Sequence, residues 1–379
     1  MKSKDDRRNS SRKPRTLKSS GTAAPAKASS PVDRRKRGGT PGHVTLRDVA
    51  IAAGVSPMTV SNFINARHGA VGAEAQARIQ AEIERLGYRP HTVARNLRLS
   101  RRLSIDMVIL DSAPLYLADP FTTQIVAGLG NCLNRNGYGL QLQGISPEAF
   151  LQSPLVRNIR SDGICVLLSG SDAARRDVIQ TLLRLGQPIV VFQETFRFQG
   201  ADVCVIRQAD RVGGGLVARE VLEGGAKRVV MLVPETEWPA IQERVSGARA
   251  VMKAAASISR FDIVTCGAAD FRDTQAALER YVEANGFPDA ILAGNDQMGI
   301  AAMKHMIARG RHVPRDLAVT GFNAFEFWQF TNPMLTTVRS PAYEMGVRGG
   351  DELLARLTNG RFERHEIVFP VELQRGGST

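Results

Sequence analysis

Beyond residue 103, short unbroken runs of valine, isoleucine and leucine alternate with amphipathic stretches of helical length. The runs are IDMVIL (105–110), YGLQLQ (138–143), GICVLLS (163–169), PIVVF (188–192), RVVMLV (228–233), FDIVTC (261–266), DAILAG (289–294) and LAVTGF (317–322). A strand that is apolar throughout has to be covered on both faces, and helix-length connections between such strands make parallel neighbours by right-handed crossovers. The pattern therefore predicts an α/β portion. About eight or more such units exceed one sheet of ordinary size. Two doubly wound lobes with a cleft between them are expected, and clefts of that kind bind small molecules.

The front of the chain has a different period. In VTLRDVAIAAGVSPMTVSNFIN (44–65) two short helical pieces are separated only by Gly-Val-Ser. Val49, Ala50 and Ala53 share one helical face, and Gly54 supplies the positive φ that a helix end commonly needs. Ser56 is a good N-cap, and Pro57 stands at the first helical position, where its missing N–H costs nothing. Val55 and Val60 flank the cap as a hydrophobic staple. A corner stapled in this way fixes the exit angle of the second helix, whose first turn can then reach base edges in a major groove about 12 Å wide. Pro57, Met58, Thr59, Ser61 and Asn62 are the positions expected to be exposed there. A third helix is predicted over about Ala73–Leu86, with Ile79, Ile83 and Leu86 as its apolar stripe and Gly87 as its stop. The alternative reading of this pattern is a generic three-helix domain. The segment HTVARNLRLSRR that follows is too short to be a stable helix unaided, so DNA or a second copy would have to order it.

Charge separates the same regions. The chain carries +13, of which +10 falls in residues 1–42 (13 Lys/Arg against 3 Asp/Glu), +5 in residues 43–103, and −2 in the remainder. A positive arm joined to a positive small domain marks a polyanion binder, most often nucleic acid; for the arm alone, a solubilising tail explains the charge equally well. Residues 1–42 have almost no large apolar side chains and are expected to be disordered. No apolar run approaches the roughly 20 residues of a membrane span, and the basic start lacks the apolar segment of an export signal. These features place the protein in the cytosol and away from a membrane. Cys132, Cys165, Cys204 and Cys266 lack Cys-x-x-Cys spacing, which argues against a zinc knuckle or disulfide scaffold. With no phosphate-loop or His-Glu-x-x-His motif and six scattered histidines, no catalytic residue, metal site or cofactor is expected. The Gly213-Gly214-Gly215 run is better explained by close helix packing than by phosphate binding.

With these residues in place, the chain resembles transcriptional regulators of the lactose-repressor (LacI/GalR) family over residues 44–379. The motifs that carry the resemblance are the quoted 44–65 stretch, LGYRPHTVARNLR, AGNDQM (293–298), VPRDLAVTGFN (313–323), LTTVRSPAYEMG (335–346) and the terminal QRGGST. The resemblance implies an all-α helix-turn-helix headpiece (43–90), a hinge helix and linker (91–103), and a periplasmic-binding-protein-like core (104–379) of two doubly wound parallel-sheet lobes. The first lobe would span about 104–206 plus 338–362, and the second about 207–337 plus 363–379. It further implies a dimeric repressor on a palindromic double-stranded operator, controlled allosterically by a small-molecule effector. Thr45, Thr59, Ser61 and Asn65 would contact phosphates, while Pro57, Met58 and Asn62 match base-reading positions. Leu97, with Ala94 beside it, would enter the minor groove from the hinge helix. Because the chain ends without a leucine heptad, a homodimer is expected.

The matching effector positions are Phe121, Gln193, Arg244, Asn295, Asp296 and Asn323. Sugar-binding relatives often carry Asp where Gln193 and Asn323 stand, so an Arg244 without carboxylate neighbours points to an anionic effector such as a sugar acid or phosphorylated sugar. The alternative is that Arg244 forms an internal salt bridge. Gly72 and Ala75 replace the Ser and Thr that often cap helix three, so phosphate anchoring there is expected to be weaker. The rival functions are an enzyme, a sugar-binding transport protein, which would need an export signal and no headpiece, and a regulator whose cleft senses nothing.

Overall fold

The computed structural model describes residues 44–64, 68–89, 102–112, 116–158, 161–198, 200–267 and 270–379. The basic tail, Asn65, and the hinge segment with Ala94 and Leu97 lie outside the described residues. The chain divides into two compact units, one ending at Pro90 and one beginning at His91.

In the front unit, helix α1 (Leu46–Ala52) starts from a capping box in which Thr45 and Asp48 each accept a hydrogen bond from the other's backbone. Gly54 takes φ +66°, which lets Val55 donate back to the Ala50 carbonyl at 3.0 Å and turn the chain sharply. Helix α2 (Pro57–Ile64) follows at once, and α3 (Ala73–Leu86) closes on Gly87 in the left-handed conformation. Val49, Ala50, Ala53, Val60, Val71, Ile79 and Tyr88 form the shared core, with Val55 packed against it. At the start of α3, Gly72 offers no side-chain cap.

The back unit opens with β1 (Ser104–Leu110), α4 (Pro120–Arg135), β2 (Gly139–Ile145), β3 (Gly163–Leu168), α5 (Asp172–Leu183), β4 (Ile189–Phe192) and β5 (Val203–Gln208). The second lobe then runs through α6 (Asp210–Glu223), β6 (Arg228–Val233), α7 (Pro239–Ala254), β7 (Arg260–Thr265), α8 (Phe271–Asn285), β8 (Ala290–Ala293), α9 (Asp296–Ala308), β9 (Ala318–Thr320) and β10 (Thr337–Arg339). The chain returns to the first lobe in α10 (Ala342–Asn359) and β11 (Glu366–Phe369), and ends in the second with β12 (Glu372–Gln374).

Among the described residues, the first lobe holds a six-stranded parallel sheet in the order β11-β5-β4-β3-β1-β2, and the second a four-stranded parallel sheet in the order β7-β6-β8-β9. Each of the eight apolar runs read from the sequence overlaps one strand of these sheets, to within two residues at its ends. Their uniform burial in β1, β3 and β4 is what helices on both faces impose. One boundary is corrected. Residues 363–379 were assigned to the second lobe, yet β11 pairs in parallel with β5 (Glu366 beside Val205) and belongs to the first. From Val371 on the chain does lie with the second lobe: Val371 joins its core, β12 runs antiparallel to β10, and Ser378 donates to the Val319 carbonyl. All four cysteines are buried, and burial pushes the thiols of Cys132 and Cys204 up to about 12, which keeps them unreactive.

Candidate effector cleft and DNA-reading helix

Both sheets reverse their winding direction, the first between β1 and β3 and the second between β6 and β8. Ligands of doubly wound folds sit beyond the carboxyl ends of the strands at such reversals. The residues that follow these strand ends converge on one cavity of about 1010 Å³. Asp111 and Tyr116 follow β1, Leu167 is the last residue but one of β3, and Glu235, Thr236 and Trp238 follow β6. Gly267 and Asp270 follow β7, Asn295 follows β8, and Asn323 and Phe327 follow β9. A backbone hydrogen bond of 2.8 Å from Gly170 to the Glu237 carbonyl ties the lobes together beside it, and Trp238 packs against the core of the first lobe.

Arg244 is placed in this cavity by helix packing. Gly214 on α6 and Gly247 on α7 let the two backbones touch: a Cβ at 214 would stand 2.0 Å from the Arg244 carbonyl, and one at 247 would stand 1.9 Å from that of Arg211. This approach explains Gly214 in the glycine run noted in the sequence, while a Cβ at Gly213 would meet the Phe322 ring at 2.6 Å. It brings Asp210, the first residue of α6, against Arg244 from α7, with Nε donating to Oδ1 at 2.7 Å. Each of the two is 4% exposed. The guanidinium also donates to the Gly294 carbonyl at 2.6 Å and to Asn323 Oδ1 at 3.4 Å, and it lies 3.6 Å above the Phe322 ring, a cation–π stack in a desolvated place.

Asp210 is the centre of a wider network. Gln193 and Gln208 donate to its two oxygens at 3.0 and 2.9 Å. Ser340 in turn donates to Gln208, and Ala209 donates to the Phe369 carbonyl. All three chain crossovers between the lobes, at 208–210, 338–342 and 369–372, thus meet beside Arg244. Burial pushes the Asp210 carboxyl up, against the pull of Arg244, Gln208 and Gln193, all of which donate to it.

Of the six effector positions expected from the sequence, Phe121, Gln193, Arg244, Asn295 and Asn323 line the cavity. Their polar atoms are not equally available. The Gln193 amide is occupied on both sides, by Asp210 and by the Gln208 backbone N–H. Asn295 spends Oδ1 on the first turn of α9, accepting from Met298. Gln193 and Asn323 hold φ of +61° and +116°, a backbone cost found mainly where a site demands it. Asp296 does not line the cavity. It is 3% exposed, with Oδ1 accepting from Thr337 and Oδ2 buried with no hydrogen-bond partner among the described residues. Burial pushes its carboxyl up to about 6, against the pull of the Thr337 hydroxyl and the nearby backbone N–H groups of Ala324 and Phe325.

The premise behind the anionic effector, an Arg244 without a carboxylate, does not hold. Asp210 supplies one, and the described lining residues add Asp111, Asp119, Glu235 and Asp270 with no second basic side chain. Asp210 escaped notice because β5 was not recognised: VCVI is short and runs into the polar RQAD. Had the strand been seen, Asp210 would have stood at a strand-to-helix junction on the cleft side of the fold.

In the headpiece, Ser56 caps α2 by accepting from the Thr59 N–H at 3.1 Å. Pro57 and Met58 are exposed at the first turn, Met58 at 65%, whereas Thr59, Ser61 and Asn62 are half-buried. The Thr59 and Ser56 hydroxyls share a hydrogen bond. Thr45 is exposed but already engaged as the α1 cap, a structural role that the sequence reading missed.

The sequence profile described as "Bacterial regulatory proteins, lacI family" matches residues 45–91, which contain this headpiece, and that of the periplasmic binding protein-like domain matches residues 218–379. The chain thus joins a lacI-family headpiece to a periplasmic-binding-protein-like domain. It is a DNA-binding transcription regulator controlled by a small-molecule effector, not an enzyme. The ribose operon repressor of Escherichia coli (strain K12) is 27% identical over 341 residues, covering 88% of this regulator and 99% of its own length. The transcriptional regulator CelR of Thermobifida fusca is 28% identical over 347 residues, covering 90% and 98%. Among solved structures, a lac repressor dimer bound to operator and the anti-inducer ONPF superposes with a TM-score of 0.76 at 23% identity, covering 89% of this chain and 99% of that one. A CelR–cellobiose complex gives 0.63 at 25% identity, covering 89% and 100%.

Proposed function

We propose that this regulator is a cytoplasmic, dimeric repressor that reads an inverted repeat through α2 and releases it when a sugar-like effector occupies the cleft. Thr45, Thr59, Ser61 and Asn65 position the headpiece on phosphates; Pro57, Met58 and Asn62 face base edges. Asn62 pairs with adenine and Met58 packs on a thymine methyl. Ala94 and Leu97 enter the minor groove between two half-sites. Phe121, Arg244, Asn295 and Asn323 hold the effector, with Gln193 acting through Asp210. Ribose and cellobiose, in the names of the relatives above, set the chemical class.

The observation that carries this reading is Met58: a large apolar side chain held 65% exposed at the first turn of a helix fixed by Ser56 and Pro57. In that position its thioether side chain is free to meet a thymine methyl in the major groove. The test is a titration of DNA from upstream of the regulator's own gene, at 50 to 200 mM salt, with and without neutral sugars. Affinity should fall steeply with salt and fall again on addition of one sugar. Salt-insensitive binding, or the same affinity for scrambled DNA, refutes the reading.

A further inference from the structure

Arg244 is the only basic side chain among the described residues that line the cleft. Its five N–H groups divide simply. Nε is taken by Asp210, one Nη1 hydrogen by the Gly294 carbonyl, and one Nη2 hydrogen by Asn323. Among the described residues, one donor on each terminal nitrogen has no partner, so the residue can still grip oxygen atoms. What it lacks is net charge. Asp210 lies 2.7 Å from it in a dry environment, held there by Gln193 and Gln208 as well as by the close packing of α6 on α7. The acidic side chains on the same cavity, Asp111, Asp119, Glu235 and Asp270, act in the direction opposite to an anion. Tyr116, Trp238, Phe271 and Phe327 supply apolar and aromatic wall, the kind of surface on which an uncharged ring packs.

We propose that Asp210 is the specificity-determining residue of the cleft: by pairing with Arg244 it cancels the single positive charge there, so that the cleft accepts uncharged polyhydroxylated ligands and rejects carboxylates and phosphates. This inference rests on the reading of the cleft as an effector site and assigns its charge class to a residue that need not touch the ligand. Asp210 acts through Arg244 and is therefore a positioning residue. Removing its charge while keeping its shape converts Arg244 into an anion receptor.

The test uses inorganic phosphate as the probe, at up to 10 mM with ionic strength held constant by chloride. Its binding is measured by calorimetry on the full chain for wild type, Asp210→Asn, and the double variant Asp210→Asn with Arg244→Gln. Asn at 210 can still accept from Nε, so Arg244 stays in place. The single variant is expected to bind phosphate at least about tenfold more tightly than wild type, and the double variant to lose that gain. A purely structural role for Asp210 would lower the unfolding temperature without changing the response to phosphate. Equal phosphate affinity in wild type and Asp210→Asn overturns the proposal, as does a gain that persists in the double variant. Should Asp210→Asn not fold, Asp210→Ser, which leaves room for a water, replaces it. Submillimolar phosphate binding by wild type overturns the proposal whatever the variants do. Binding of unliganded wild type to DNA is measured alongside, so that failure of the regulator reading shows in that arm and failure of the charge assignment in the phosphate arm.

Discussion

The Gly213-Gly214-Gly215 run allows the packing argument to be tested with a change of one methyl group. A Cβ at 214 would stand 2.0 Å from the Arg244 carbonyl oxygen, against about 3.3 Å for an ordinary C···O approach. Helices α6 and α7 must therefore part by about 1.3 Å in Gly214→Ala. The same displacement would stretch the Asp210–Arg244 bond from 2.7 Å to about 4 Å, beyond hydrogen-bond reach. Overpacking alone costs about 1–3 kcal/mol, and opening a buried ion pair about 3–5 kcal/mol more if it is complete. A loss of at least 3 kcal/mol is expected, on the order of 6–12 °C in unfolding temperature for a core of this size. At the next position a Cβ meets nothing nearer than an Arg219 nitrogen at 3.4 Å and a Val251 methyl at 3.5 Å. Gly215→Ala should accordingly be neutral or gain up to about 1 kcal/mol from helix propensity. Scanning calorimetry on the two variants decides the matter. If Gly214→Ala unfolds within about 1 kcal/mol of wild type, or if the two variants fall equally, α6 and α7 do not meet as described and the placement of Arg244 loses its cause.

Other consequences are simpler. Ser56→Ala removes the bond to the Thr59 N–H and should destabilise α2 by about 1 kcal/mol, visible as roughly fivefold faster amide exchange over residues 57–64; unchanged exchange would show that the cap is not what holds the corner. Asp296 has a folded-state pKa raised by burial to about 6. Its contribution is therefore favourable only below its unfolded value and is lost as pH rises through 6. Asp296→Asn should gain on wild type between pH 4 and pH 7, by about 2–3 kcal/mol, and a pH-independent difference in thermal unfolding would contradict this. Deleting residues 1–42 removes a net +10, so the slope of log affinity for DNA against log salt should become several units shallower; an unchanged slope means that the tail makes no phosphate contacts.

What could be read from the sequence divides along physical lines. The parallel strands were legible because burial on both faces leaves runs such as RVVMLV and GICVLLS with no polar interruption. Strands β10 and β12, three residues each, and β11, four, carry too little pattern to be separated from loops. Missing β11 moved the lobe boundary, and missing β5 hid Asp210. The headpiece corner was legible because caps and staples are local. Thr45 shows the limit of that, since a residue expected at a phosphate proves to be tied to Asp48. The charge of the cleft was legible only as the alternative that Arg244 forms an internal salt bridge, with its partner unidentified. It depends on residues 34 positions apart in the chain, brought together by two helices whose closeness only the glycines announce.

The central claim, that α2 reads DNA through its first turn in a two-fold arrangement, is tested most directly by selecting binding sites from a randomised DNA library with wild type and with Asn62→Arg. The account predicts an inverted repeat for wild type and, for the variant, a change confined to one base pair and its symmetry mate, toward the guanine that Arg prefers. An asymmetric motif, no motif, or an identical motif from both proteins would contradict it.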